Sequence, residues 1–221
     1  MSSPSLNYDA VFVIDSSKSI TEKGHSKSLR ALRKLIEKTK PGPRFAAISY
    51  SDEATLRFNF TRRDDAIAKL DVREIPFEGG DTNTQDALDV CTKLIFNPHN
   101  GARRGVPKRV LIITDGQSNM HKTKTLYRGL LLKNAGAQVF VIAVGKYIKG
   151  INEIVSLASC TDGHLYRVRD TNGLLRIVKL IPPWKMIKGF MERTWLTQML
   201  GKKPKPFNWK DQTHHHHKKR M

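Results

Sequence analysis

The sequence predicts an α/β fold: a doubly wound, mostly parallel sheet with one antiparallel edge strand and helices on both faces. Runs such as 10–14 and 110–113 are apolar at every position, as expected of strands buried on both faces. Helical patterns separate these runs along the chain, which is typical of a parallel sheet. Leu56, Phe58 and Phe60 instead alternate with polar residues, which predicts the antiparallel edge strand.

The first half of the chain alternates predicted strands and helices. After the strand at 10–14, apolar residues at helical spacing from Leu29 to Ile36 predict a helix that ends at Pro41-Gly42-Pro43. The later elements of this half are a buried strand over 45–50, the edge strand, a short helix that Asp64 caps and that runs through Leu70, and a helix over 87–95.

Three strand–helix units make up the second half. Their elements are a strand at 110–113, a helix with an apolar stripe of Leu126, Leu130 and Leu131, a strand at 139–144, a helix at 151–158, a strand at 164–168 and a helix at 174–181. The composition changes at Pro182-Pro183. We therefore predict one domain over 8–181 and a basic C-terminal extension over 182–221, partly helical or disordered. An amphipathic helix over 187–199 and metal binding by His214–His217 are open alternatives within that extension.

The charge balance favours anionic partners. Lys and Arg number 39 against 20 Asp and Glu, which gives a formal net charge of +19. Sulfated glycans, anionic lipid, nucleic acid or an acidic matrix would each suit such a chain. The sequence has no run of roughly 18 apolar residues, so we predict no transmembrane segment. The polar N-terminus does not resemble a secretory signal.

Two cysteines, Cys91 and Cys160, are too few for a disulfide scaffold or a zinc ribbon. Cys91 lies on an apolar helical stripe, and we predict that it is a buried free thiol. Whether the two cysteines pair depends on whether the fold brings them together.

Oxygen-bearing side chains cluster at the ends of two predicted strands and in one loop. Asp15, Ser17 and Ser19 follow the first strand, Asp115 follows the strand at 110–113, and Thr82 lies in a glycine-bearing loop before a helix. Ligands of open α/β sheets bind beyond the carboxyl ends of the strands, so we expect these side chains to converge. We also expect Asp15 and Thr82 to lie outside the hydrophobic core.

The donor types in this set indicate the kind of metal. Two carboxylates and three hydroxyls are hard ligands that suit Mg²⁺, Mn²⁺ or Ca²⁺, and the absence of His and Cys argues against zinc or copper. If one carboxylate acts through water, the cation stays electrophilic. An acidic side chain of a partner protein could then complete its coordination.

At these positions the sequence resembles the von Willebrand factor type A domain, found in integrin α chains, matrilins and non-fibrillar collagens. The resembling segments are DAVFVIDSSKSI, RFAAISYSD, GGDTNTQDAL, RVLIITDGQS, LLKNAGAQVFVIAVG and HLYRVRD, within 8–181. The family's metal-ion-dependent adhesion site consists of a D-x-S-x-S motif, a Thr and an Asp. By resemblance, its metal-binding positions are those of Asp15, Ser17, Ser19, Thr82 and Asp115.

The resemblance implies a Rossmann-like fold and an adhesive role in the extracellular space. It implies a protein ligand from the extracellular matrix, such as collagen, and places Lys18, Asp81 and Gly116 at the periphery of the ligand-binding site. An anionic glycan or an acidic matrix is a further possible partner.

Two other functions are considered. A Mg²⁺-dependent phosphatase usually has a second carboxylate two residues after the first, where this chain has Ser17, and we find no P-loop, G-x-G-x-x-G, H-E-x-x-H or G-x-S-x-G motif. We therefore do not expect an enzyme. A polyanion-binding module is the stronger alternative, although the basic residues are scattered and no aromatic RNA-recognition motif is present, which argues against nucleic acid.

Overall fold

The computed structural model describes residues 7–39, 41–60 and 65–180. Six strands within these ranges form one sheet of order β3-β2-β1-β4-β5-β6. The strands are β1 (Asp9–Asp15), β2 (Arg44–Tyr50), β3 (Ala54–Phe58), β4 (Lys108–Thr114), β5 (Ala137–Val144) and β6 (Leu165–Val168). Every neighbouring pair is parallel except β2 and β3, which are antiparallel. The predicted fold class, with its antiparallel edge strand, is confirmed.

Helices cover both faces of the sheet. They are α1 (Glu22–Glu37), α2 (Asp65–Arg73), α3 (Thr84–Ile95), α4 (Lys122–Asn134), α5 (Ile151–Leu157), α6 (Thr161–His164) and α7 (Leu174–Leu180). Helix α1 contacts α2 and α7 on one side, whereas α4 contacts α3 and α5 on the other. Among the described residues, no helix is long and apolar enough to cross a membrane.

Strand β1 supplies side chains to both hydrophobic cores, because successive residues of a strand point to opposite faces. Phe12 and Ile14 pack into the core beneath α1, and Val11 and Val13 pack into the core beneath α3. All four are fully buried. The absence of alternation in the apolar run therefore correctly predicted a central strand.

Both cysteines are free thiols. Cys91 is buried in the core beneath α3, as predicted, and its burial raises the pKa of the thiol well above its ordinary value. Cys160 is exposed at the start of α6. The fold thus leaves Cys91 and Cys160 unpaired.

The predicted stripe of α4 is wrong. Leu126 and Leu130 are 47% and 50% exposed, whereas the buried residues of α4 are Thr125, Gly129 and Leu132. The reason is close packing: a Cβ atom at Gly129 would lie 2.7 Å from a methyl carbon of Leu157 in α5. Small residues let the two helices approach, and the leucines are left facing outward.

A buried ion-pair cluster lies at the amino end of β1, and the sequence analysis did not anticipate it. The Asp9 carboxylate is fully buried. It accepts a hydrogen bond of 2.8 Å from Arg103 Nε and one of 2.7 Å from Lys108 Nζ. Because Asp9 precedes an apolar run, only the tertiary contact with the segment before β4 explains why a charge is tolerated there.

His25 of α1 provides a pH-dependent contribution to stability. Burial, with a smaller contribution from positively charged Arg57, lowers the pKa of His25 to about 4. As the pH falls, the His25 imidazole is protonated near pH 6.5 in the unfolded chain, but only near pH 4 in the folded chain. We expect the free energy of unfolding to lose roughly 2–3 kcal/mol from this group as the pH falls from 6.5 to 4.

The measurement is chemical denaturation of the wild type and His25→Gln across that pH range. Glutamine does not titrate, so the stability advantage of the wild type over the variant should shrink toward pH 4. Curves for the two proteins that stay parallel would contradict the expectation.

Some predictions lie outside the described residues. These are the capping role of Asp64, the end of the domain at 181, the C-terminal extension over 182–221 with its amphipathic segment, and His214–His217. The division into domains stays a prediction.

Candidate metal centre

The candidate site lies where the order of the strands reverses direction. From the central strand β1 the chain passes to β2 on one side, and it later returns to add β4 on the other. Such a switch point opens a crevice at the carboxyl ends of the two central strands. Asp15 is the last residue of β1, and Asp115 directly follows β4. The topology thus brings residues 100 positions apart to one edge of the sheet.

Asp15 forms the floor of the site. It is fully buried, which contradicts the expectation that it lies outside the core. Its Oδ1 accepts a hydrogen bond of 2.9 Å from the Ser17 backbone N–H, and its Oδ2 accepts one of 2.8 Å from the Thr114 hydroxyl. Burial raises the pKa of Asp15 to about 6; the hydrogen bonds oppose this shift, and the nearby Asp115 carboxylate adds to it. A buried carboxylate of this kind would be stabilised by a cation.

A chain of hydrogen bonds joins the two loops that flank Asp15. The hydroxyls of Ser17 and Ser19 lie 3.1 Å apart, and the Ser19 hydroxyl donates a bond of 2.9 Å to Asp115 Oδ1. Burial raises the pKa of Asp115, against the effect of the Ser19 hydrogen bond. The structure thus brings Asp15, Ser17, Ser19 and Asp115 together.

The loop that carries Thr82 packs directly against the loop after β1. The Gly79 N–H donates to the Ser16 carbonyl at 2.8 Å, and the Lys18 N–H donates to the Gly80 carbonyl at 2.9 Å. At Gly80 a Cβ atom would lie 2.4 Å from an Asp52 carboxylate oxygen, so a larger residue there would displace the Asp52 side chain, which accepts a hydrogen bond of 2.8 Å from the Asp81 N–H.

Thr82 is held through its backbone. Its N–H donates to Asn119 Oδ1 at 2.8 Å, and its carbonyl accepts bonds of 2.9 Å from the Ser118 hydroxyl and 3.1 Å from the Asn119 N–H. Thr82 is only 7% exposed, so it too is more buried than expected. Its hydroxyl makes no hydrogen bond to any described residue, which leaves this oxygen available to a ligand.

The three residues predicted at the periphery surround these oxygens. Lys18 Nζ lies 3.0 Å from Asp81 Oδ1, and both side chains are exposed, so this ion pair adds little stability. The hydrogen bond from Lys18 lowers the pKa of Asp81. At Gly116, the backbone carbonyl oxygen lies 3.0 Å from the Thr114 hydroxyl oxygen. That hydroxyl has one proton, which serves either Asp15 or Gly116.

The residues that orient the predicted ligands were not predicted from the sequence. Thr114 supports Asp15, while Ser118 and Asn119 hold Thr82. Thr114 ends β4, and Ser118 and Asn119 lie in the polar segment that follows it; this polarity was the available indication. Tyr50 was also missed: its buried hydroxyl makes no well-formed hydrogen bond with a described residue, and burial raises its pKa well above the ordinary value.

Within the described ranges, no group of three or more His, Cys, Asp or Glu side chains could hold a metal ion. The candidate site has a different composition, with two carboxylates and three hydroxyls. Hydroxyl-rich sites of this kind offer hard oxygen donors without a surplus of negative charge.

Comparison with known proteins identifies the family. Residues 9–180 match the von Willebrand factor type A domain. Similar curated proteins include bovine cochlin, 30% identical over 110 residues that cover 48% of this chain and 19% of cochlin. Rat von Willebrand factor A domain-containing protein 1 is 29% identical over 165 residues, 72% of this chain and 39% of that protein. Human collagen alpha-5(VI) chain is 30% identical over 145 residues, 62% of this chain and 5% of the collagen. The chain thus matches well under half the length of each relative.

Solved structures share the fold. Proximal thread matrix protein 1 from the mussel byssus superposes with a TM-score of 0.73 at 19% identity, covering 80% of this chain and 47% of that one. A second structure of that protein, with a zinc occupied MIDAS motif, has a TM-score of 0.70 at 25% identity, covering 79% of this chain and 44% of that one.

Proposed function

Because this chain belongs to the von Willebrand factor type A domain family, we propose that it is a metal-dependent adhesion domain. In this proposal the side chains of Asp15, Ser17, Ser19, Thr82 and Asp115 hold a divalent cation. The bound cation supplies a positive centre that attracts an acidic side chain of a partner protein.

The observation that carries the proposal is the convergence of the two loops on Asp15. The Ser17–Ser19 and Ser19–Asp115 hydrogen bonds bring three side-chain oxygens together beside a buried carboxylate, which supports the assignment of these residues as ligands. Burial raises the pKa values of Asp15 and Asp115 and so disfavours their charged forms, and a bound cation would offset this cost. The Thr82 hydroxyl, which has no hydrogen-bond partner among the described residues, fits the same site.

The cation in this proposal is Mg²⁺, with Mn²⁺, Ca²⁺ and now Zn²⁺ as alternatives. Hard oxygen donors favour the first three, and the zinc-occupied relative adds the fourth. The partner is an extracellular matrix protein such as collagen, and the domain acts outside the cell. Relatives that include a collagen chain and a thread matrix protein support this placement. We propose binding without catalysis.

A decisive test combines metal removal with a substitution at Thr82. We expect the protein to bind collagen-coated or matrix-coated surfaces in Mg²⁺, to lose that binding in EDTA, and to regain it when a divalent cation is restored. Thr82→Ala should weaken cation binding by at least about tenfold in a calorimetric titration, because it removes one ligand oxygen.

Thr92→Ala is the matched control. Its hydroxyl bonds to the Leu88 carbonyl within α3, away from the site. We expect it to bind the cation as the wild type does. If Thr82→Ala and the wild type bind the cation equally well, the assignment of Thr82 is wrong.

Polyanion binding is the second candidate function, and the net charge of +19 favours it. Attraction to a polyanion falls steeply with salt and does not require a divalent metal. Binding that ignores EDTA but disappears at high salt would therefore replace metal-dependent adhesion with this alternative.

A further inference from the structure

A basic and aromatic surface, which we call the ledge, lies beside the candidate site. It consists of Lys146, Tyr147 and Lys149 from the loop after β5, and Arg167 from β6. Tyr147 is 84% exposed, and no other large hydrophobic residue in the described ranges exceeds 59%. An aromatic ring presented to solvent in this way is typical of a contact residue in a binding surface.

The backbone places the ledge close to Asp115. The Gln117 N–H donates a hydrogen bond of 3.0 Å to the Lys149 carbonyl. Gln117 is two residues from Asp115, so their Cα atoms are at most about 8 Å apart. The Cα atoms of the hydrogen-bonded residues Gln117 and Lys149 are about 5 Å apart. The Cα of Lys149 therefore lies within about 13 Å of the Cα of Asp115.

The ledge carries positive charge that no described acidic group neutralises. Arg167 donates a hydrogen bond of 3.0 Å to the Lys146 carbonyl, and Lys146 Nζ lies 5.1 Å from the centre of the Tyr147 ring. The sequence from 137 to 152 has no Asp or Glu. The next acidic residue, Glu153, is half-buried and accepts a hydrogen bond from the Ser118 N–H. No ion pair to Lys146, Lys149 or Arg167 forms among the described residues.

We propose that the ledge binds additional carboxylates of the partner, so that the ligand is an acidic protein segment rather than an isolated acidic residue. This inference rests on the proposed function, in which one carboxylate of the same segment binds the cation. An extended peptide spans about 13 Å in roughly four residues, so the second carboxylate is expected within about four residues of the first. Tyr147 provides a flat apolar ring against which the intervening side chains pack.

The test uses short synthetic peptides of one length that carry either a single Glu or several Glu residues. In Mg²⁺ we expect the wild type to bind the multiply acidic peptide at least about tenfold more tightly, since several charge contacts form together. The double variant Lys146→Glu/Lys149→Glu should lose that preference and keep its affinity for Mg²⁺ alone. Tyr147→Ala should weaken binding of the acidic peptide about fivefold or more.

Two matched controls separate local from general effects. Arg104→Glu makes the same change of charge as the single variant Lys149→Glu, at an exposed position in the loop before β4, at the opposite end of the strands. Tyr127→Ala removes another exposed tyrosine, on α4. Both should bind the acidic peptide as the wild type does. If Arg104→Glu weakens binding as much as Lys149→Glu does, the loss is caused by net charge and the ledge has no specific role.

Failure of the inference differs from failure of the proposed function. If the double variant binds the acidic peptide as tightly as the wild type while EDTA still abolishes binding, the ledge inference is wrong and metal-dependent adhesion stands. If EDTA leaves the wild type's binding unchanged, both are wrong. If the ledge variants lose binding to heparin, in EDTA as in Mg²⁺, and bind the acidic peptide normally, the ledge is a sulfated-glycan site and the acidic-protein assignment is overturned.

Discussion

Asp15→Asn is expected to lose divalent-cation affinity by at least about 100-fold while the domain stays folded, since even residues that only orient metal ligands contribute up to about that factor. Asparagine keeps the oxygen that accepts from the Ser17 N–H. Its amide can donate to the Thr114 hydroxyl, whose proton then serves the Gly116 carbonyl 3.0 Å away. The substitution therefore removes the negative charge and preserves the local hydrogen bonds.

Thermal unfolding with and without cation measures this effect. A cation at about 100 times its Kd should stabilise the wild type by about 2.7 kcal/mol, and Asp15→Asn should gain almost nothing. Asp162→Asn, at an exposed position in α6, is the matched control and should respond like the wild type. If Mg²⁺, Mn²⁺, Ca²⁺ and Zn²⁺ stabilise Asp15→Asn as much as the wild type, Asp15 does not contribute to cation binding.

Alanine at the same position tests the burial of Asp15. Because Asp15 is fully buried, Asp15→Ala leaves the Ser17 N–H without its acceptor, and we expect its free energy of unfolding to be about 1–3 kcal/mol lower than that of Asp15→Asn, which keeps the acceptor and equally lacks the charge. The sequence-based expectation that Asp15 lies outside the core would have predicted no loss. Asparagine is therefore the better substitution for testing metal binding.

Asp9→Ala should destabilise the domain by about 3–5 kcal/mol, because removing one member of a buried ion pair leaves its partners uncompensated. Here two cations lose their partner: the Arg103 and Lys108 side chains are 21% and 10% exposed, and Asp9 is fully buried. The Arg103 backbone N–H also loses its acceptor, Asp9 Oδ2, at 2.7 Å.

Denaturant unfolding of Asp9→Ala measures this loss, with Asp81→Ala as the control. Asp81 also forms an ion pair, but an exposed one with Lys18, so its loss should cost less than about 1 kcal/mol. Asp9 lies at the opposite end of β1 from Asp15, and the folded Asp9→Ala variant should bind the cation as the wild type does. Similar stability losses for the two variants would show that burial adds nothing to the Asp9 cluster.

Much of the fold was predictable because it depends on local pattern. Apolar runs at β1 and β4 predicted central strands, and helical spacing predicted the helices between them. The spacing of apolar residues did not predict which face of a helix is buried where two helices pack together. In α4, Leu126 and Leu130 looked like the buried face, but the contact with Leu157 selects the face that contains Gly129.

The candidate site, too, could be predicted from the sequence only in part. The residue types at Asp15, Ser17, Ser19, Thr82 and Asp115 are visible in the sequence, and so is their position after strands or in a glycine-bearing loop. The orienting roles of Thr114, Ser118 and Asn119 were not visible, because each depends on a contact between separate loops.

By itself, the sequence determined the order of the strands and helices and the oxygen chemistry of the candidate site, because periodicity and donor type are properties of the chain. Only the tertiary structure decided that Asp15 is buried, that Asp9 is paired, and that the backbone of Lys149 lies close to the segment after Asp115. These features arise from segments far apart in the chain, which the sheet brings together at one end of its strands or the other. Burial and charge compensation are determined by such neighbours and not by local pattern.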